Sequence, residues 1–323
     1  PAMIVHDEVQ SRDPHQIDTA GPWLLRRKEA DGALVESIRQ VGQMAPVLVA
    51  RDGGQERLVA GTARLDAARQ LGVPVSIRLV EAKDRDKGVL FVADNAGQAP
   101  DEALLVRCRR FFSDSMPEAE METRVLPLLG MDPRSRPWRL ARQWTLLPAA
   151  WDVPLFEQRL PLAAAPVLLR FTAHELGAVL PLFQSLSWSR GNALRLLEWL
   201  LAVSRREDST PEEVLQRVKA RELLQVSLSP KDTMEALLTR LRNVRYPELT
   251  RLERRFAQTS TPLSRGTFWR LSPEQHFETG RVRLEAAAGS MEDLRRAVVE
   301  LKRLAEQEEW QLLWKVDQEE PGT

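Results

Sequence analysis

The stretch from Pro46 to Pro74 leaves little freedom of local structure, because glycine and proline mark every change in its pattern. Pro46 opens the apolar run Val47-Leu48-Val49, and Asp52-Gly53-Gly54 separates it from a second run, Leu58-Val59-Ala60. Two short apolar runs joined by a turn sequence predict a β-hairpin. Gly61 closes the second strand. Thr62 to Leu71 then carries strong helix formers behind a Thr cap and ends at Gly72. Pro74 introduces a further strand, Val75 to Val80. Upstream, Leu34, Ile38 and Val41 recur at helical spacing before Gly42, a natural C-cap.

Composition excludes several classes. The 323 residues carry 46 Lys plus Arg against 46 Asp plus Glu, so a uniformly basic nucleic-acid coat is ruled out. A single cysteine, Cys108, permits neither an intrachain disulfide nor a Cys-rich zinc site, and the four histidines lack metal-ligand spacing. No apolar run approaches membrane-spanning length, and charge follows Ile4-Val5 at once, so a cytoplasmic protein without a membrane role is expected. Pro1-Ala2 ahead of Met3 is expected to be a cloning remnant.

The order helix, strand, strand with glycine, helix, strand resembles the ParB/sulfiredoxin-like N-terminal domain of the ParB partition family. The resemblance is carried by Leu34 to Ile38 with Gly42, Pro46 to Val49, Leu58 to Gly61 with Arg64 and Ala67-Ala68, and Leu71 to Pro74. Phe91-Val92-Ala93-Asp94-Asn95 lies where ParB proteins carry a Glu-Asn pair, and Leu146-Leu147-Pro148 resembles the exit of their helix-turn-helix. The similarity covers roughly residues 17 to 220. It implies an α+β, predominantly helical protein: a ParB/sulfiredoxin-like module over residues 1–90, a helical helix-turn-helix module over 91–225, and a small C-terminal α/β module over 230–318 expected to dimerise.

The family binds CTP with magnesium, and the nucleotide closes a clamp around DNA. The resemblance places nucleotide contacts at Gly61, Thr62, Arg64, Asp94 and Asn95, with Asp94 and Asn95 as oxygen donors for magnesium. Arg26 or Arg27 corresponds to an N-terminal arginine of that site. The chain departs from the family where Thr62, Ala63, Asp66 and Gln98 replace an acid and three arginines. The plainer alternative for Gly61 and Arg64 is a tight turn and an arginine paired with an acidic neighbour; for Asp94 and Asn95 it is a helix or turn cap. The glycine turn lacks the cysteine that sulfiredoxin chemistry requires.

The DNA expectation rests on local charge. Helices are predicted over Asp101 to Phe112, Pro117 to Leu129 and, from a Ser135 cap, to about Leu147. Arg134, Arg136, Arg139 and Arg142 fall in nine residues without an acid, and with Ser135 and Gln143 they supply a face for major-groove and phosphate contact. Trp138 and Trp144 are expected to anchor that helix, and Arg107, Arg109 and Arg110 to add phosphate contacts. Phe183, Trp188 and Trp199 are expected in the core. The C-terminal part predicts helices striped by Met234, Leu237, Leu238 and Leu241 and by Leu294, Val298, Leu301 and Ala305, with strands at Phe268-Trp269 and Val282 to Ala286.

Three functions follow as expectations: a ParB-like DNA-binding protein in DNA segregation or chromosome organisation, gated by CTP and partnered by double-stranded DNA and a ParA-like ATPase at the nucleoid; a nucleotide-free adaptor or transcriptional regulator on the same scaffold; and a nuclease or CTPase.

Overall fold

A computed structural model describes residues 3–186, 188–226, 228–277, 281–310 and 313, excluding the side chains of 275 and 276. Pro1-Ala2 and the expected C-terminal limit at 318 lie outside the described residues. The protein is α+β and predominantly helical. It divides into two compact units, Pro1–Leu201 with Thr210–Glu212 and Ala202–Ser209 with Glu213–Thr323.

The first unit opens with β1 (Ile4–Arg12), α1 (Gly32–Val41), β2 (Val47–Asp52), β3 (Gln55–Ala60), α2 (Thr62–Leu71), β4 (Val75–Glu81) and α3 (Asp84–Asp94). The strands form one sheet in the order β1-β4-β2-β3, antiparallel except for the parallel β2–β4 pair. β2 and β3 are the expected hairpin, with Asp52 opposite Gln55 across the Gly53-Gly54 turn. Alternation then sorts the side chains. Val49, Leu58 and Ile77 join Ile17, Leu65 and Ala68 on one face, while Ala50 and Val59 join Trp23 on the other. Trp23 donates its indole N–H to the Leu58 carbonyl at 2.7 Å, and Lys87 Nζ lies 4.0 Å from its ring centroid.

β1 is not evident from its composition. Its sequence, Ile4 to Arg12, is mostly exposed and sets Ile4, Val5 and Val9 among polar and charged residues, so it lacks the regular apolar alternation of a half-buried strand. Antiparallel pairing from Ile4 opposite Glu81 to Arg12 opposite Val75 holds it at the sheet edge.

The helical part continues with α4 (Glu102–Ser113), α5 (Glu118–Arg124), α6 (Arg136–Trp144), α7 (Asp152–Phe156), α8 (Ala165–Leu168), α9 (Ala173–Ser185) and α10 (Arg190–Arg206). α4 is capped by Asp101, whose carboxylate accepts from Leu104 N at 2.7 Å. α5 is shorter than expected, giving way to turns from Val125 to Gly130. Pro127 has no N–H with which to continue the helix. Phe183 and Trp188 are buried, whereas Trp199 is half-buried with the Arg195 guanidinium 5.8 Å from its ring.

After α11 (Pro211–Arg217), whose residues from Glu213 onward belong to the second unit, that unit contains α12 (Ala220–Gln225), α13 (Pro230–Arg245), α14 (Pro247–Ser264), the antiparallel hairpin of β5 (Trp269–Pro273) and β6 (Val282–Ala286), and α15 (Met291–Ala305). Leu237, Leu238 and Leu241 are buried on α13 as expected, and Arg242 pairs with Glu253 of α14 through two hydrogen bonds. Phe256, Leu263, Leu271 and Leu304 share a core. α15 corrects one expectation: its buried face is Ala297 and Leu304, while Leu294 and Val298 of the expected stripe are exposed and Leu301 is half-buried.

Candidate nucleic-acid interface and nucleotide turn

α6 begins after the Asp132-Pro133 turn, where the Asp132 carboxylate accepts from Arg134 N at 2.6 Å. Pro137 sits in its first turn, where a missing N–H costs nothing. Ser135 does not cap the helix: it makes no side-chain cap bond, and its Oγ is buried without a partner. The helix is two-sided. Trp138, Ala141 and Trp144 are fully buried, whereas Arg136, Arg139, Arg142 and Gln143 are exposed, as is Arg134 just before them. The tryptophans therefore fix which way the arginines point, and truncating either would remove about 3–5 kcal/mol of packing.

Below α6, Arg110 of α4 ties its C-terminal end in place. Its guanidinium donates to the carbonyls of Thr145 at 3.0 Å and Leu147 at 2.9 Å. The same group donates to both oxygens of Asp152, and Trp144 Nε1 donates to Asp152 Oδ1 at 3.0 Å. A cation at a helix C-terminus also complements the helix dipole. Arg110 is thus committed to structure and does not supply a phosphate contact. Arg109 pairs with Glu118 of α5, and Arg107 donates to the Leu25 carbonyl at 3.2 Å while stacking 4.2 Å from the Phe156 ring centroid. The expectation that these three arginines add phosphate contacts beside α6 is corrected: Arg110 is spent on the end of α6, Arg109 on Glu118, and Arg107 turns to Leu25 and Phe156.

The remaining face of α6 is open. Arg142 Nε is 3.6 Å from Glu118, while Arg134, Arg136 and Arg139 have no side-chain ion pair among the described residues. Arg139, Arg142, Gln143 and Leu146 border a depression of about 370 Å3, and Leu146 is 74% exposed within it. Such an array presents guanidinium and amide donors at one to two helical turns, the geometry that major-groove and phosphate contacts require.

The nucleotide residues are brought together, but they bind one another. Gly61, at φ +98°, precedes α2, and a Cβ there would lie 2.7 Å from Val47 Cγ1, so glycine is required. Thr62 begins α2 and is half-buried. Arg64 Nη2 donates to both Asp94 oxygens, at 2.5 and 2.6 Å, and its Nη1 donates to the Pro46 carbonyl at 3.0 Å. Asn95 Nδ2 donates to the Phe91 carbonyl at 2.8 Å, making Asn95 part of the C-terminal end of α3 rather than an N-terminal cap. Asp66 Oδ2 accepts from Ala30 N at 2.8 Å and from Gln70, which ties the segment before α1 to α2. Arg26 pairs with Asp101 at 2.5 Å, and Arg27 reaches the Thr19 carbonyl.

This donor set does not fit magnesium as arranged. Both Asp94 oxygens are taken by a guanidinium and the Asn95 amide is turned onto its own helix, so the two residues do not offer converging oxygens. Nor does Arg64 face outward to a phosphate. Among the described residues there is no cluster of three or more His, Cys, Asp or Glu placed to hold a metal ion, and no helix is long and apolar enough to cross a membrane.

No family model and no curated protein sequence matches this chain. Among solved structures it is similar to the C-terminally truncated chromosome-partitioning protein ParB from Caulobacter crescentus complexed with CTP-gamma-S, at 18% identity and TM-score 0.25 over 55% of this chain and 99% of that one. It is also similar to a Pnob8-like ParB-N domain, at 18% identity and TM-score 0.34 over 76% of this chain and 93% of that one.

Proposed function

We propose that this chain is a double-stranded DNA-binding protein of ParB type, acting in DNA segregation or chromosome organisation, with α6 as its DNA-contacting helix. The observation that carries this reading is the two-sided build of α6: two fully buried tryptophans on one side and Arg136, Arg139, Arg142 and Gln143 exposed on the other. In this reading residues 91–225 engage DNA, residues 1–90 form the ParB/sulfiredoxin-like module, and residues 230–318 join two copies through the exposed side of α15. A ParA-like ATPase and a nucleoid location belong to the same proposal.

The test is binding of the full chain to a random duplex library followed by titration of selected duplexes at several salt concentrations. Log affinity should fall linearly with log salt, and replacing Arg136, Arg139 and Arg142 by alanine should weaken binding at least about tenfold while reducing the slope. Equal binding by the variant, at equal slope, would remove α6 from the interface.

A second reading, a nucleotide-free adaptor or regulator, is favoured by one observation: Arg64 is already satisfied by Asp94 and by the Pro46 carbonyl. Calorimetric titration with CTP, with ATP and GTP as controls, separates the two. Selective heat with CTP supports a nucleotide-gated protein. Silence at about 10 mM, a concentration where even weak sites fill, supports the scaffold.

A further inference from the structure

Apart from α6 and the Gly61 turn, a cleft of about 550 Å3 opens in the first unit where the segment at Arg26-Arg27 meets the starts of α4 and α10 and the end of α7. Its volume falls in the range of small-ligand sites. Four arginines from three separate stretches of chain converge on it: Arg26, Arg27, Arg107 and Arg190. Two of them are neutralised locally, Arg26 by Asp101 at 2.5 Å and Arg190 by Glu102 at 2.5 Å. Glu102 is fixed in turn by the Leu162 N–H at 2.7 Å. The other two have only main-chain carbonyls as partners among the described residues, Leu25 for Arg107 and Thr19 for Arg27. The lining therefore carries two positive charges in excess of its acids.

The cleft is also shaped. Arg107 lies 4.2 Å from the Phe156 ring centroid, a cation–π contact that restrains the guanidinium, and the pair borders the cleft together. Trp188 forms an apolar wall, its N–H already given to the Leu182 carbonyl at 3.0 Å. On the rim, Gln158 adopts φ +59°, a left-handed conformation that costs a non-glycine residue energy and that collects at ligand sites. Its amide makes no side-chain hydrogen bond among the described residues.

From this convergence we infer that the cleft binds a phosphate monoester of mononucleotide size, its dianionic phosphate on Arg27 and Arg107 and its planar group against the Arg107–Phe156 stack. Arginine forks are suited to phosphate oxygens, and the excess of two positive charges balances the two negative charges of a phosphate monoester. The site contains none of Gly61, Thr62, Arg64, Asp94, Asn95 or the α6 residues, and Arg26 and Arg27, which the resemblance implied for the nucleotide turn, line this cleft instead, so it stands independently of the DNA-binding reading.

The probes are the four ribonucleoside monophosphates and ribose 5-phosphate, with adenosine as the uncharged control, titrated into the full chain by calorimetry. At least one monophosphate should bind with submillimolar affinity, and adenosine should give no heat. Arg27→Ala, on the exposed rim, and Arg107→Lys, which keeps the charge but loses the fork, should each raise Kd about tenfold. Arg27→Ala keeps the test valid if Arg107→Lys loosens the fold. Silence of all five phosphates at about 10 mM overturns the proposal. So does unchanged binding in both variants, binding abolished by Arg64→Ala, which would assign it to the Gly61 turn, or a signal seen only with oligonucleotides.

Discussion

Arg64 and Asp94 lie thirty residues apart in sequence and form an ion pair in which one guanidinium nitrogen serves both carboxylate oxygens, at 2.5 and 2.6 Å. Asp94 is the last residue of α3, where an acid is disfavoured by the helix dipole, and Arg64 offsets that charge. The carboxylate thus occupies the side of Arg64 that an incoming phosphate would need. Asp94→Asn should raise the affinity for pyrophosphate or CTP relative to the wild type, while costing about 1 kcal/mol or less of stability because both side chains are partly exposed. Calorimetry of the two proteins side by side decides it: equal or weaker binding in the variant would mean that the pair does not guard the turn.

The Arg110–Asp152 pair makes a different prediction, because Asp152 is buried and serves Arg110 and Trp144 together. Asp152→Ala leaves the half-buried Arg110 guanidinium with only the Thr145 and Leu147 carbonyls and strands the buried Trp144 indole N–H, and should cost about 1–3 kcal/mol in urea denaturation. At temperatures where the variant stays folded its salt slope for DNA should match the wild type. A steeper slope in the variant would restore Arg110 as a phosphate contact.

For the α6 arginines the expectation is reversed. Arg136 and Arg139 are exposed, so alanine there should shift stability by no more than about 0.5 kcal/mol while lowering the salt slope by about one for each phosphate no longer neutralised.

On α15, Met291, Leu294, Val298 and Leu301 follow a 3-4-3 spacing on a side that the unit's own core does not cover, with Met291 66% and Leu294 48% exposed. That is the spacing of a helix–helix seam, and a second copy of the chain is its proposed occupant. Leu294→Asp with Val298→Asp should turn a dimer into a monomer in analytical ultracentrifugation without loss of helicity. A wild-type monomer at micromolar concentration would remove the seam.

Burial pushes the Cys108 thiol well above its ordinary pKa, with the Asp101 charge adding to the effect. The thiol should therefore resist DTNB at pH 8 until the chain unfolds. The folded state holds its proton where the unfolded chain releases it. This contribution to stability is complete below the ordinary thiol pKa and declines above it by about 1.4 kcal/mol per pH unit. Rapid labelling of the native protein would contradict the burial.

The elements between Ala33 and Val80 are legible in the sequence because glycine and proline mark their ends; the helices fall within a residue of those signals, while β2 and β3 each run three residues past their apolar runs toward the Gly53-Gly54 turn. β1 is not, since a charged edge strand carries no apolar alternation. The stripe of α15 is readable but its direction is not: periodicity identifies a helix face without saying which face the core takes, and Ala297, the smallest candidate, lies against β5, where Trp269 Nε1 donates to its carbonyl. In the candidate site, the type of helix and its arginines are readable, whereas the commitment of Arg109 to Glu118 and of Arg110 to the end of α6 depends on tertiary packing. The Arg64–Asp94 pair matches the plainer of two readings for Arg64, an arginine held by an acidic neighbour.

The solitary, sealed Cys108 makes the natural chain a blank background for site-directed probes. A cysteine introduced at an exposed position such as Val299 or Arg139 would be the only one to take a spin label or fluorophore under native conditions. Distances between two copies, or between α6 and a labelled duplex, are then measurable without first removing a native thiol.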